Sequence, residues 1–237
     1  MSAKRRTITI PFGLAVFALM VTIGLSHVMA EPPSPELVVD QQFQTWGYKV
    51  WVEQDGYTSA EVSYKQDNVE DLRGHANLNK ALAQQLRAKG TKEFRAIVTF
   101  RHPVLLNEFR TWAAQNRIAI DAFTLRVLAE DGSRVTLGAV PSGGQLVDEP
   151  HLNRVVDLVA KRGASDLKGV FSVEGVIRSA DYEGIAASRT VFMVDITKSA
   201  VLSQVSEMGR GLLLKPSAIR VFPTFPRMED LGIQNFQ

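Results

Sequence analysis

Apolar and polar positions follow one another with a clear period from Phe94 to Leu128. Phe94, Ala96, Val98 and Phe100 fall on one face of a strand, because side chains alternate across an extended backbone. Pro103 suits the first position of a helix, where its missing N–H costs nothing. Leu105, Phe109 and Trp112, with Leu106 and Ala113, then form an apolar stripe at helical spacing. Phe123, Leu125 and Val127 make the next strand. A helix with such a stripe needs a sheet to cover, and the flanking strands supply it.

The same reading extends in both directions. Trp46, Tyr48, Val50 and Val52 alternate toward a turn at Asp55-Gly56, and Thr58, Ala60, Val62 and Tyr64 return, which predicts a hairpin. Asn77 reads as the cap of a helix lined by Leu78, Leu82 and Leu86 and closed at Gly90. Downstream, Val135 and Leu137 return from a turn at Glu130–Ser133. Pro150 opens a helix carrying Leu152, Val155, Val156 and Val159. A second strand–helix–strand follows, with Phe171, Val173 and Ile177, a short helix near 180–187 and a strand over 191–196. Thr197 then caps a helix bearing Val201, Val205 and Met208. An apolar stretch near 219–222 precedes what reads as an irregular tail, 223–237.

The order from Phe94 to Ile177 is β-α-β-β-α-β. That predicts an α+β fold with a ferredoxin-like (split βαβ) sheet, extended by a second βαβ unit and preceded by an N-terminal hairpin plus helix. The two βαβ units, 94–128 and 170–196, share a plan but little sequence. The folding propeptides and inhibitors of subtilisin-type proteases have the same plan; the chain resembles them in topology alone, without a shared motif. The expected division is 1–30 targeting segment, 31–36 proline-rich spacer, 37–90 hairpin and helix, 91–222 α/β core and 223–237 tail.

The first thirty residues change what composition means. Lys4, Arg5 and Arg6 precede an uncharged apolar run from Ile8 to Leu25, and Val28 and Ala30 fit a signal-peptidase site. Cleavage gives a secreted protein. Retention gives a single membrane-spanning anchor through residues 8–25, since the run nears the length needed to cross a bilayer. Either way the remainder is expected outside the cytoplasm. Without its three basic residues the formal charge of +2 becomes −1, so the overall basicity gives no footprint for nucleic acid. Cysteine is absent, which excludes disulfides, thiolate metal sites and a Cys nucleophile.

Candidate chemistry is sparse. Ser165-Asp-Leu-Lys168 has Ser-x-x-Lys spacing but lacks the partner motifs, and reads as a turn. His75, His102 and His151 lack metal-ligand spacing, and no Gly-x-Ser-x-Gly elbow occurs. Ser142-Gly143-Gly144 reads as a flexible connection rather than a nucleotide loop. Asp181, Glu183 and Asp195 read as solvated or capping carboxylates. Trp46, Trp51 and Tyr57 form the most aromatic region, and Trp51 and Tyr57 are the candidate contact surface if the hairpin packs on one face. The expectation is a non-catalytic extracytoplasmic domain that binds protein or a cell-envelope component, with no cofactor or metal. The alternatives are an envelope hydrolase and a protease-inhibitor or propeptide-like module.

Overall fold

A computed structural model describes residues 34–53, 55–129, 134–147, 150, 152–154, 157, 164–208, 212, 214–221 and 224–232. Nine strands among them form two sheets, so the fold is mixed α+β. The segment expected to direct targeting, 1–30, lies outside the described residues, and no described helix is long and apolar enough to cross a membrane.

The first sheet holds β1 (Glu36–Gln42), β2 (Trp46–Val52), β3 (Thr58–Tyr64) and β9 (Leu214–Val221), in that order. The β2–β3 hairpin matches its sequence pattern, with Val50 opposite Ala60 and Tyr48 opposite Val62. β9 closes the sheet by pairing parallel to β3, Val62 opposite Val221. The hairpin thus shares its sheet with a strand from the far end of the chain. β1 begins at Glu36, the last residue of the expected spacer.

Between β3 and the second sheet runs α1 (Val69–Ala88). It starts two turns before the expected cap at Asn77. Asn68 is the cap, its side-chain oxygen accepting the Asp71 N–H at 2.9 Å, and Glu70 and Asp71 favour the positive helix end. Leu72, His75, Asn79, Leu82, Ala83 and Leu86 form its buried face. Gly90, at φ +84°, follows the last turn as a residue without a Cβ should.

The second sheet contains β4 (Glu93–Val104), β5 (Ala119–Ala129), β6 (Arg134–Ala139), β7 (Ala164–Arg178) and β8 (Val191–Asp195), in the order β6-β5-β7-β4-β8. Every pairing is antiparallel. The ferredoxin-like pattern read over 94–177 would place β6 between β4 and β5; β7 stands there instead. Burial explains the exchange. Val170, Phe171, Ser172 and Val173 are buried in succession, as a strand covered on both faces requires, whereas β6 alternates between exposed and half-buried positions and suits an edge. At Gly175 an added Cβ would lie 2.3 Å from the Ala119 carbonyl oxygen, so β5 can approach β7 only because the side chain is missing.

Phe94, Ala96, Val98 and Phe100 are buried along β4 as their alternation predicts. Pro103, however, belongs to the strand and opens no helix. It sits where the β4–β7 register shifts, between Thr99 and Val104, so no ladder bond needs its missing N–H. α2 (Leu106–Asn116) starts afterwards, and Leu105 stands at its cap, 57% exposed. The stripe is therefore Phe109, Trp112 and Ala113, without Leu105. Trp112 meets Phe100 edge-on at 4.7 Å, and Phe109 reaches Phe123 at 5.3 Å.

A 3₁₀ turn at Ser179–Asp181 runs into α3 (Tyr182–Ala186), ahead of β8. α4 (Thr197–Glu207) then touches both β9 of the first sheet and β4 of the second. The stretch read as an irregular tail contains α5 (Phe225–Asp230), which is pinned by a buried ion pair between Glu229 and Arg126 of β5 at 2.7 Å.

Candidate functional site

The two faces of the first sheet differ in kind. Trp46, Tyr48, Val50, Ala60, Val62 and Ile219 point into the core. The opposite face carries a row in which charge alternates from strand to strand: Asp40, Lys49, Glu61 and Arg220 are successive cross-strand partners. Such a row is a solvated surface. The next row toward the hairpin turn is different, with Leu37 opposite Trp51 and Trp51 opposite Ser59.

Tyr57 shares this outer face. Its carbonyl accepts the Glu53 N–H at 2.7 Å, which pairs residue 57 with residue 53 across the turn. The Tyr57 N–H reaches Asp55 Oδ1 at 3.1 Å, and Ser59 Oγ donates to Glu53 Oε1 at 2.5 Å, so the turn is held by its own side chains. Tyr57 is 58% exposed, and the Lys215 ammonium lies 4.8 Å from its ring centroid. Leu37 is 47% exposed and Trp51 is half-buried. The two candidate contact residues therefore stand on one face, joined by Leu37. Trp46 is on the other, stacked on Phe43 at 4.8 Å.

A second constellation, centred on His75, escaped the sequence reading. His75 and Asp195 are both buried, and Nε2 lies 3.0 Å from Oδ2, so the ring donates and the carboxylate accepts. The other carboxylate oxygen accepts the Thr197 hydroxyl at 2.6 Å and the Thr197 N–H at 2.9 Å. Asn79 Oδ1 takes the Ile196 N–H at 2.7 Å, while its amide nitrogen donates to the His75 carbonyl at 3.1 Å. Tyr64 stacks on the imidazole at 4.0 Å, and its hydroxyl lies 3.1 Å from Thr224 Oγ1. Burial works to raise the Asp195 pKa, but His75 and Thr197 outweigh it and hold the carboxyl below its usual range. Burial, with the Asp195 charge, pushes the Tyr64 phenol far up, so it stays neutral.

This network joins β3, α1, β8 and the start of α4, and so ties the first sheet to the second. It holds two members of a nucleophile-activating triad but lacks the third. A catalytic imidazole would offer its free nitrogen to a hydroxyl at an open surface; His75 Nδ1 is sealed and has no hydrogen-bond partner among the described residues. The helical spacing of Leu72, His75, Asn79, Leu82 and Leu86 is the signal that would have found it: two polar residues set into an apolar stripe.

The remaining candidates are scattered. His102 is exposed in β4 and lines an open groove of about 580 Å³ with Glu108, Thr111, Trp112 and Thr190, without a hydrogen bond to any of them. His151 lies outside the described residues, as does the Ser165 side chain; Lys168 pairs with Asp166 at 2.5 Å. Asp181 pairs with Arg178 at 2.6 Å and Glu183 with Arg87 at 2.5 Å, away from the buried Asp195. Ser142 and Gln145 exchange backbone hydrogen bonds around Gly143 and Gly144, which makes that segment a closed turn. Among the described residues no three metal-capable side chains gather.

No family model, curated protein or solved structure matches the chain. The reading of function therefore stands on these residues.

Proposed function

We propose that the chain is a non-catalytic extracytoplasmic domain, secreted or held by a single N-terminal helix, that binds a protein or cell-envelope component. The contact surface is the outer face of the first sheet around Leu37, Trp51 and Tyr57. The observation that carries the reading is the contrast between the two rows of that face. One is satisfied by its own alternating charges, whereas the other leaves Leu37 and Tyr57 about half exposed beside Trp51. Aromatic side chains of this kind give large contact area at low entropy cost, which is why they concentrate in binding surfaces. The hydrolase alternative has less to rest on, because among the described residues the one buried imidazole–carboxylate pair is closed to substrate and His102 has no hydrogen-bonded partner.

We also infer that the second sheet is a ferredoxin-like arrangement built from β4, β5, β7 and β8, with β6 added at its edge. The order β8-β4-β7-β5, with β7 between the parallel pair β4 and β5 and β4 between the parallel pair β7 and β8, supports this.

The test of function is comparative. Envelope extract passed over the immobilised full chain and over a Trp51→Ser/Tyr57→Ser double variant should yield a species held by the first and lost from the second. Equal retention by both would move the contact surface elsewhere.

A further inference from the structure

The edge of the second sheet carries a separate feature. β8 is the last strand in its order, and among the described residues no strand covers its outer side. There, α1, α3, β8 and the Arg101 end of β4 enclose a cleft of about 320 Å³. Arg73 and Lys80 reach it from α1, one helical face apart by seven residues, with Asn77 between them. Arg101 reaches it from β4, its guanidinium 5.8 Å from the Phe192 ring on the cleft wall. Three cationic side chains thus line one cleft, with no carboxylate among its described lining residues.

Their charges are unevenly spent. Arg73 shares its charge with Glu70 at 2.7 Å. Among the described residues Lys80 and Arg101 have no ion-pair partner, although the exported part of the chain is acidic by one charge. A second observation points the same way. Tyr182 lines the cleft with its ring buried, and its hydroxyl, open to solvent, has no hydrogen-bond partner among the described residues. Burial, then the Glu183 and Asp195 charges, raise its pKa, so it remains a neutral O–H able to donate.

We propose that this cleft binds a compact, multiply charged oxyanion of the phosphate class. Lys80 and Arg101 neutralise the ligand, Arg73 and Asn77 donate from the helix, and the Tyr182 hydroxyl fixes its orientation. Guanidinium and ammonium donors form charge-assisted hydrogen bonds with such oxygens, and the volume suits a small ligand. The site is on the second sheet and independent of the aromatic face. It also shows why a near-neutral total charge is a poor guide: the basic residues are gathered, not averaged.

The experiment is calorimetric titration of the full chain, in mild detergent at low salt, with inorganic pyrophosphate and with citrate. Saturable pyrophosphate binding is expected, with citrate weaker. Lys80→Ala and Arg101→Ala should each weaken it about tenfold or more, the loss of one charge-assisted contact. Tyr182→Phe removes the hydroxyl alone and should weaken binding while leaving the circular-dichroism melt in place. Lys215→Ala, on the other sheet, should bind as the parent does. Absence of saturable binding, parent-like binding by Lys80→Ala and Arg101→Ala, or equal weakening by Lys215→Ala would each overturn the proposal.

Discussion

His75 Nε2 sits 3.0 Å from Asp195 Oδ2 although 120 residues separate the two in the chain, and both side chains are almost wholly excluded from solvent. The pair makes the fold sensitive to acid. A carboxyl held lower in the folded chain than in the unfolded one contributes stability above its unfolded pKa, about 4, and loses it as pH falls through the folded value. Asp195 is held low, so the protein should lose stability as pH drops below about 4. Asp195→Asn should flatten that acid limb. Asp195→Ala, which strips His75 of its acceptor, should cost about 3–5 kcal/mol at neutral pH. Urea titrations at a series of pH values check both; an unchanged acid limb in Asp195→Asn would mean that another group sets it.

The tryptophans separate core from surface. Trp112 is 8% exposed and packs edge-on against Phe100, so Trp112→Ala should cost about 3–5 kcal/mol and largely unfold a domain of ordinary stability. Trp51→Ala, on the outer face, should shift the denaturation midpoint little. A near-parental midpoint for Trp112→Ala would place the α2 stripe outside the core.

The ion pair that pins α5 should respond unevenly to its two partners. Burial raises the Glu229 pKa, and Arg126 and Arg134 only partly offset it, so the neutral side chain is tolerated. Glu229→Gln should therefore cost little, because the amide oxygen can still accept from Arg126, which also keeps the Thr136 hydroxyl at 2.7 Å and the Phe171 ring at 4.9 Å. Arg126→Ala removes the nearer of two guanidinium partners of a buried carboxylate, leaving Arg134 at 3.4 Å, and should cost more than Glu229→Gln. Thermal melts of the two variants compare them, and equal losses would contradict the asymmetry.

Local patterns in the chain foretold most of the strands. The β2–β3 hairpin, the buried face of β4 and the Phe109–Trp112 stripe were all legible, because each depends on neighbours a few residues away. Long-range pairing was not. β1 contains only Leu37, Val38 and Val39 among polar residues, and it is a strand because β2 lies beside it. β9 pairs with β3 across more than 150 residues, a partnership that no local period records. Pro103 misled because its local preference for a helix start lost to a strand that passes through a register shift. Asn77 misled because a residue type suited to capping stands inside a helix that already begins at Val69. The aromatic surface was half legible: alternation put Trp51 on the face away from Trp46, but only the turn geometry brings Tyr57, and the β1–β2 pairing Leu37, to its side. The basic cleft was invisible, since Lys80, Arg101 and Tyr182 come from three elements.

The most direct test of the account is a photocrosslink from the face to which it assigns binding. A benzoyl-phenylalanine placed at Tyr57 of the full chain, irradiated in intact cells, should yield a discrete adduct that disappears when Trp51→Ser is added. The same probe at Leu105, as exposed but at the cap of α2, should yield none. An adduct from Leu105 alone, or one from Tyr57 that survives Trp51→Ser unchanged, would contradict the assignment of binding to the outer face of the first sheet.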